Sequence, residues 1–362
     1  MRTQLGVIGF GVAICGAGLL EVTAQVRSPG TSQISPNRTL TAVAGITVGH
    51  HTLSERPTGC TVILVDGDAV GGVSQRGGAP GTRETDLLNP LNMVNKVNAV
   101  VLAGGSAFGL DAASGVVKWL DERGIGWQTA DARVPIVTGA ILYDLGVGNN
   151  PSVRPTADCG YRAAGSASGA PVGEGSIGAG AGATVGKIGG AGPAGPRRST
   201  KSGIGSAAII LPNGLVVAAI AAVNAAGDIV DPATGQVVAG SRNPDGTFAD
   251  LRKVLRTGQP TDRALPGQNT TIAVVATNAV LSKVDINRVA LMADDGLARA
   301  IYPAHTTGDG DTVFALATGR WKGDATLTTI GSLAADALAE AIVRAATEAT
   351  GVAGIPARRD LR

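Results

Sequence analysis

The core of this chain must be built from small side chains, which limits the folds that it can adopt. The sequence has 54 glycines and 44% hydrophobic residues, but only 3% of its residues are aromatic. Ala, Val, Leu and Ile must therefore fill the core, and glycine lets backbones approach closely. We expect stacked layers of aliphatic side chains in one large domain, because 362 residues suit a layered α/β or α+β fold.

The charge pattern argues against nucleic acid as a partner. The net charge is only +2, and the densest basic group is Arg197, Arg198 and Lys201. A nucleic-acid surface needs a broad basic face and aromatic rings on which bases stack, and this chain is poor in both.

The N-terminus has the pattern of an export signal. An uncharged apolar run from Leu5 to Leu20 follows Arg2, and Val22-Thr23-Ala24 has the small-residue spacing of a signal-peptidase site. We predict a signal peptide at residues 1–24 and a flexible leader at 25–40. A permanent anchor is the weaker alternative, because a spanning helix needs at least about 18 apolar residues. The mature protein is then periplasmic or secreted without a stable membrane anchor; if the signal is not real, it stays cytoplasmic.

Cysteine and histidine usage predicts neither a disulfide framework nor a metal site. Cys15 would leave with the signal, and Cys60 and Cys159 are too few for a framework. We expect these two to be small buried hydrophobic residues. The three histidines have no spacing of the zinc-binding type.

Apolar runs between turn residues predict strands, and apolar residues at helical spacing predict helices. The polar segments Arg76–Asn92 and Pro232–Gln268 predict loops. The predicted strands are Thr61–Val65, Ala99–Leu102, 207–211, 215–220, Thr271–Ala276 and Thr312–Thr318, and the predicted helices are about 106–123, 286–300 and 333–345.

Residues 165–205 are the most glycine-dense part of the chain. The run that ends at Lys187 superficially suggests a phosphate-binding loop, but Ile188 follows where that motif needs Ser or Thr. A strand pair with close backbone approach, from which Lys187 projects, explains the glycines better. We expect no nucleotide and no other cofactor.

The dipeptide Asn269-Thr270 lies between a turn-like run, Pro266-Gly267-Gln268, and the predicted strand Thr271–Ala276. A hydroxyl residue at such a junction can attack the preceding carbonyl and cut the chain. It then becomes an N-terminal threonine whose own amine serves as the base. Because this dipeptide occurs by chance about once in a chain of this length, its surroundings must carry the interpretation.

Several ordered runs resemble the self-processing L-aminopeptidase D-esterase/amidase family, which includes β-peptidyl aminopeptidases and nylon-oligomer (6-aminohexanoate) endohydrolases. The resemblance covers about residues 41–350. The matching runs are Gly45–His50, Arg76–Glu84, Leu102–Leu110, Asn269–Ile272 and His305–Thr312.

The resemblance implies an α+β fold of the N-terminal-nucleophile-hydrolase type, a four-layer αββα sandwich in one domain. It implies autocleavage between Asn269 and Thr270 into a large subunit, 41–269, and a small subunit, 270–362, that stay associated. Homo-oligomers of the cleaved pairs are also implied. Thr270 matches the family nucleophile, which is serine in many aminopeptidase members and threonine in the nylon-oligomer hydrolases.

The resemblance also implies roles for five other residues. Lys187 and Asn224 match positions that support cleavage and the oxyanion in the nylon-hydrolase branch, and Tyr143 matches an active-site tyrosine. Asp309 and Asp311 match the acidic pair of the Asp-Gly-Asp run. The serine branch has a hydroxyl residue at the first acidic position, so Asp309 favours the threonine branch.

The residues themselves allow these roles and simpler ones. Two carboxylates two positions apart on an extended segment face one side, so Asp309 and Asp311 can orient the hydroxyl or the new amine of Thr270. A solvated turn is the simpler alternative. Lys187 can relay a proton if burial lowers its pKa, or it can be an ordinary surface lysine.

The remaining polar candidates are equally open. Asn224 can donate to a developing oxyanion or cap a turn, and Tyr143 can donate to the same oxyanion or be an ordinary core tyrosine. We expect His305 to be structural, because an N-terminal threonine already carries its base.

These observations leave three functions open. The first is an N-terminal-threonine aminopeptidase or amidase that acts through an acyl-enzyme on short peptides or amides. The second has the same chemistry on linear 6-aminohexanoate-type oligomers, and an acyltransferase of the ornithine-acetyltransferase type is a structurally similar variant. The third is a non-catalytic binding protein, whose Asn269–Thr270 bond would stay intact.

Overall fold

The computed structural model describes residues 37–192, 195–258 and 267–361. The predicted signal peptide, 1–24, and most of the predicted leader lie outside the described residues. At the end of that leader Leu40 is fully buried, and its main-chain amide donates to Ser206 Oγ at 2.8 Å. The packed part of the described chain therefore includes the last residues of the predicted leader.

Nine strands form the main sheet system. They are β1 (Ile46–Thr52), β2 (Gly59–Gln75), β3 (Thr82–Arg83), β4 (Lys96–Ala103), β5 (Val137–Ile141), β6 (Ile204–Ile210), β7 (Val216–Asn224), β8 (Thr270–Thr277) and β9 (Thr312–Ala317). The spatial order is β6-β7-β8-β9-β2-β4-β5-β3, and β1 also pairs with β2. The β8–β9 and β4–β5 pairs are parallel, and the other pairs are antiparallel.

The long strand β2 joins two stacked sheets. Its first half pairs with β1 and β4, and its second half pairs with β9. Between the halves, at residues 66–68, the strand is exposed, and its register with β4 shifts between Leu64 and Ala69. Such an irregularity bends a strand, so one chain segment can serve both layers.

The helices are α1 (Ala112–Asp121), α2 (Ala157–Gly165), α3 (Leu251–Val254), α4 (Lys283–Ala293), α5 (Asp295–Ala300) and α6 (Leu327–Thr347). Four of them cover the outer faces of the two sheets. Helices α1 and α2 pack on the sheet of β1, β4 and β5, whereas α4 and α6 pack on the sheet of β6 to β9 and α5 packs on α6. In the described part of the chain, no helix is both long and apolar enough to cross a membrane.

Alternating side chains on the strands build three separate cores. On β7, Val217 and Ala219 face the α4–α6 layer, whereas Ala218 and Ile220 face the other sheet. The opposite sheet alternates in the same way, with its outer face against α1 and α2. Three cores between four layers make an αββα sandwich, which confirms the expected fold class.

The close approach expected from the glycine content is clearest where α1 crosses α2. A Cβ on Gly115 would lie 1.7 Å from the Ala157 carbonyl oxygen, and one on Gly160 would lie 1.8 Å from that of Ala112. The two backbones touch directly, which only glycine permits.

Short strands flank the main sheets near the glycine-rich segment and the loops. Thr184–Val185 pairs with Thr200–Lys201, Ala191–Gly192 with Gly195–Pro196, Asp228–Val230 with both Val237–Ala239 and Ile301–Tyr302, and Trp127–Gln128 with Arg133–Val134. The strand pair predicted around Lys187 is thus present as two very short ladders.

The predicted elements exist, but several of their bounds differ. The 207–211 and 215–220 hairpin is present as β6 and β7, with Gly214 in its turn at φ +86°. The predicted strand at Thr61–Val65 is only part of the first half of β2. The sequence Asp66-Gly67-Asp68 is typical of a turn, but here it stays extended within the strand, at the bend. The predicted helix 286–300 is two helices, α4 and α5, and the predicted loop 232–268 contains α3 and a short strand.

Cys60 and Cys159 form a disulfide, which corrects the expectation that they are unbonded hydrophobic residues. Both are buried in the core between β2 and α2. They are 99 positions apart in the chain, yet their Cα atoms are 6.2 Å apart. Stacking of the layers brings them together, and sequence spacing does not encode that contact.

We predict that Cys159→Ala lowers the free energy of unfolding by about 2–4 kcal/mol, because the bridge no longer restricts the unfolded chain. Urea unfolding of the oxidised wild type and the variant measures the difference. In dithiothreitol the two proteins should unfold at similar urea concentrations. Equal midpoints without reductant would contradict a stabilising bridge.

Candidate active site

The Asn269–Thr270 junction lies at the start of the central strand β8. Thr270 pairs with Asn224 at the end of β7, and Asn269 forms a parallel bridge with Asp309 just before β9. The β-branched run that follows Thr270 is fully buried, as expected for a strand with neighbours on both sides. Sheet pairing therefore fixes the position of the junction from two directions.

The carbonyl group of Asn269 has two donors. The main-chain amide of Gly310 donates to its oxygen at 2.8 Å, and the Thr270 hydroxyl donates to the same oxygen. A Cβ on Gly310 would lie 2.9 Å from Thr270 Oγ1 and 2.7 Å from the Ala79 carbonyl oxygen. The Thr270 hydroxyl, the Asn269 carbonyl and the Gly310 amide are thus packed together at one peptide bond.

Lys187 and Asn224 hold the next peptide group upstream. The Lys187 ammonium or amine donates to Asn224 Oδ1 at 2.7 Å, to the Asn224 carbonyl at 2.9 Å and to the Gln268 carbonyl at 3.2 Å. The Asn224 amide donates to the same Gln268 carbonyl at 3.3 Å, and Thr184 N–H donates to Asn224 Oδ1 at 3.0 Å. Lys187 and Asn224 therefore bind the same carbonyl group, that of Gln268, in the segment just before the junction.

Burial favours neutral forms in this cluster. It lowers the pKa of Lys187 to about 7, although the charges of Asp309 and Asp144 oppose that shift. Burial also raises the pKa of Asp309, and the neighbouring Asp311 charge raises it further. Near pH 7 the Lys187 side chain can therefore accept or release a proton.

Asp309 and Asp311 are both buried, but their partners differ. Asp311 accepts from Thr271 N–H at 2.7 Å through Oδ1 and from His305 N–H at 3.0 Å through Oδ2. Asp309 accepts from Thr306 N–H at 2.8 Å and, weakly, from Ala226 N–H at 3.4 Å. Asp311 is thus fixed to the residue after Thr270, whereas Asp309 lies beside the junction with fewer strong partners.

Tyr143 enters the site through its main chain. Its carbonyl oxygen accepts from the Asn224 amide at 2.8 Å, and its side chain is half-buried. Among the described residues its hydroxyl has no hydrogen-bond partner, so the structure brings Tyr143 next to Asn224 without a hydrogen bond from its phenol to the junction.

Sequence reasoning missed the buried ion pair behind Tyr143. Asp144 Oδ1 lies 2.8 Å from the Arg56 guanidinium and 2.9 Å from Gly105 N–H, and Asp144 Oδ2 accepts from Thr58 at 2.6 Å. Both charged side chains are fully buried. The pair ties the Tyr143 loop to the Gly104-Gly105 turn; the position of Asp144 beside Tyr143 in the sequence was the one available signal.

In the uncut chain the junction residues themselves are buried. Asn269 is 1% exposed and Thr270 is 2% exposed, so no external substrate can reach the hydroxyl. A surface cavity of about 520 Å³ lies elsewhere and is lined by Asp68, Lys96 and Trp127, with none of the junction residues. Among the described residues, no three His, Cys, Asp or Glu side chains are arranged to hold a metal ion.

Residues 38–359 match the family model described as Peptidase family S58. The chain belongs to this family. An uncharacterised aminopeptidase of Mycobacterium leprae is 43% identical over 358 residues, covering 89% of this chain and 93% of that protein. A 6-aminohexanoate-oligomer endohydrolase of Kocuria sp. is 30% identical over 317 residues, covering 83% of this chain and 84% of that protein.

Solved structures agree with the S58 assignment at the level of the fold. The L-aminopeptidase D-Ala-esterase/amidase of Ochrobactrum anthropi, described as a variant of the Ntn-hydrolase fold, superposes with a TM-score of 0.64. The two sequences are 21% identical, with 89% of this chain and 90% of that chain covered. The expected family and the N-terminal-nucleophile-hydrolase-like fold are confirmed, and the S58 protein is a hydrolase of amide or peptide bonds.

We predict that Gly310→Ala in this S58 protein slows any cleavage at Asn269–Thr270 at least about tenfold. The added methyl group displaces either the Thr270 hydroxyl or the Gly310 amide from the carbonyl, and losing one oxyanion donor typically costs about 10²–10³ in rate. Intact mass against time after synthesis measures the effect. Gly169→Ala is the control, because its Cβ would meet no atom within 4 Å.

Proposed function

We propose that the protein cuts its own Asn269–Thr270 bond and then works as an amide hydrolase with Thr270 as nucleophile. The observation that supports this most is the double contact on the Asn269 carbonyl oxygen, from the Thr270 hydroxyl and from Gly310 N–H. An ordinary strand start has no need of a nucleophile and an oxyanion donor at the same peptide group.

Groups at the junction can carry out every step of the cleavage reaction, with water as the only other reactant. Thr270 Oγ1 attacks the Asn269 carbonyl carbon while its proton passes to a base, and Gly310 N–H stabilises the oxyanion. The C–N bond then breaks as the Thr270 nitrogen takes a proton, which frees the Thr270 amine and leaves an ester between the Asn269 carbonyl carbon and Thr270 Oγ1. Water hydrolyses the ester to an Asn269 carboxylate and the restored Thr270 hydroxyl.

Lys187 is the base that we assign to the first step. Its lowered pKa lets it be neutral near pH 7, and its contact with the Gln268 carbonyl places it beside the junction. Asn224 orients Lys187 and Gln268. Asp309 receives the proton when it is charged and returns it when it is neutral. After cleavage the Thr270 amine itself becomes the base for substrate hydrolysis.

The cut parts stay together in this proposal. Strand β8 begins at Thr270 and pairs along its length with β7 of the large part and β9 of its own part. Cleavage breaks one peptide bond but none of these hydrogen bonds or the buried apolar contacts. The parts 41–269 and 270–362 are then subunits of one fold, and homo-oligomers of that pair remain a proposal.

Short peptides or amides with a free N-terminus are the substrates that we favour. The more similar relative, at 43% identity, is named an aminopeptidase. Linear 6-aminohexanoate-type oligomers are the second candidate, supported by the 30% identical endohydrolase and by the Thr270, Asp309 and Asp311 set. Both use the same acyl-enzyme chemistry.

Export is the location that we propose. The buried Cys60–Cys159 disulfide supports an oxidising compartment, because such bridges form and persist mainly in exported proteins. A fusion of residues 1–40 to a reporter tests the signal directly, and retention of the reporter in the cytoplasm would contradict it.

We expect Thr270→Ala to remain one uncut, inactive chain and Thr270→Ser to be cut, since serine keeps the attacking hydroxyl. Intact mass and N-terminal sequencing identify any chain that begins at residue 270. Thr271→Ala is the matched control, because the Thr271 hydroxyl has no hydrogen-bond partner among the described residues. A Thr270→Ala chain that is still cut at this bond would refute the proposed nucleophile.

The rate of self-cleavage should rise as the pH increases through about 7, because the Lys187 pKa is lowered to about 7 and only the neutral amine accepts a proton. Lys187→Arg keeps the charge but does not titrate in this range, so cleavage should slow at least about tenfold and lose this rise. Pulse-labelled protein shifted to buffers between pH 5.5 and 8 gives the rates. A Lys187→Arg chain that is cut at the wild-type rate with the wild-type pH profile would exclude Lys187 as the base.

Hydrolysis of an alanyl peptide amide and of a 6-aminohexanoate trimer by the cut protein separates the two substrate classes. We expect a kcat/KM at least about tenfold higher on the peptide amide. Cut wild-type protein that acts only on the trimer would favour the second candidate, and Thr270→Ala supplies the blank for both assays.

A further inference from the structure

His305 lies between two buried carboxylates, one of which belongs to the junction. Its Nδ1 is 3.1 Å from Asp311 Oδ2, and its Nε2 is 3.6 Å from Asp294 Oδ1. Asp294 Oδ1 has no hydrogen-bond partner among the described residues, whereas Asp294 Oδ2 accepts from Ser74 at 2.6 Å and lies 3.1 Å from Arg76 Nε. A charged imidazole ring would pair with both carboxylates at once.

The backbone of His305 has an unusual conformation. His305 has φ +54°, in the left-handed region that non-glycine residues rarely adopt. As a result, two successive amides point to different carboxylates: His305 N–H donates to Asp311 and Thr306 N–H donates to Asp309. This loop therefore holds both members of the acidic pair.

We propose that His305 is a positioning residue for self-cleavage: as an imidazolium between Asp294 and Asp311, it keeps Asp311 aimed at Thr271 N–H and so holds Thr270 against Gly310. The contact that transmits the effect is the 2.7 Å hydrogen bond from Thr271 N–H to Asp311 Oδ1. Without the ring charge, Asp311 keeps only its two main-chain donors in the described part of the chain, Thr271 N–H and His305 N–H, and the alignment of the scissile peptide weakens. This inference rests on the proposed self-processing.

The charges around the ring determine the pH dependence. Burial by itself lowers the pKa of His305, but the hydrogen bond and charge of Asp311 and the charge of Asp294 outweigh burial and raise it, against the opposing charge of Arg76. A raised histidine pKa means that the stabilising charge is present at low pH and is lost as the pH rises through the folded-state value. Positioning therefore weakens as the pH rises through the folded-state pKa of His305.

Three substitutions separate the ring from the backbone. His305→Gly accepts the left-handed backbone but removes the ring, and His305→Asn accepts it and keeps a short donor toward Asp311 without a titrating charge. Asp294→Asn removes the second carboxylate and leaves His305 in place. None of these changes a residue that touches the scissile bond.

The experiment follows conversion of pulse-labelled, cell-free-synthesised chains by gel and intact mass, in buffers from pH 5.5 to 9.5. We expect wild-type cleavage to slow on the alkaline side. His305→Gly should slow cleavage at least about tenfold at pH 7. His305→Asn, which keeps a donor but no charge, should cleave more slowly than wild type at pH 7 and show no alkaline decline. Asp294→Asn should move that decline to lower pH.

Folding is measured separately in the uncut Thr270→Ala background by thermal unfolding of each His305 variant. If His305→Gly fails to fold there, the pH profile of His305→Asn decides the question. A wild-type profile in His305→Asn, or wild-type rates in a folded His305→Gly, would overturn the positioning role. A wild-type chain that is never cut would instead refute the self-processing on which the role depends.

Discussion

The pairing of β8 with β7 on one side and β9 on the other is the constraint on which the active-site geometry depends. Because Thr270 is the first residue of this strand, its surroundings are the end of β7 and the turn before β9. A slip of one residue in either pairing would exchange the two faces of the strand. Thr270 would then no longer face Gly310, and Asn224 would no longer lie opposite it. Register, rather than any single side chain, brings the chemistry together.

Because the junction lies at the centre of the fold, burying charged side chains beside it costs hydration free energy. Lys187, Asn224 and Asp309 lie where water is largely excluded, and a buried ion there loses more in hydration than a single partner returns. The structure meets this cost with main-chain carbonyls: Lys187 donates to those of Asn224 and Gln268. The lowered lysine pKa follows from that arrangement, because carbonyl dipoles compensate the loss of water only in part. An unfavourable site for a charge is in this way a favourable site for proton transfer.

Several parts of this site could be predicted from the sequence, and the reason is local pattern. The Asn-Thr dipeptide before a β-branched run predicts a strand that starts at Thr270, and the Asn213-Gly214 turn places Asn224 at a strand end. The Arg56–Asp144 pair, the Cys60–Cys159 bridge and the Asp294–His305 contact could not be predicted. Each joins residues between about 10 and 100 positions apart that only the tertiary fold brings together, and no local sequence pattern encodes such a contact.

Asp311 has stronger hydrogen-bond partners than Asp309, and this difference suits the charges that the proposed cleavage would create. Cutting the bond turns one neutral peptide group into an ammonium at Thr270 and a carboxylate at Asn269, both in a buried site. Asp311, fixed by Thr271 N–H and His305, supplies a negative charge beside the new ammonium. Asp309, with a pKa raised by burial and by Asp311, is suited to exchange a proton there instead. In the proposed mechanism one carboxylate balances charge while the other moves protons. The His305 and Thr306 amides, which donate to Asp311 and Asp309 respectively, keep these two roles apart.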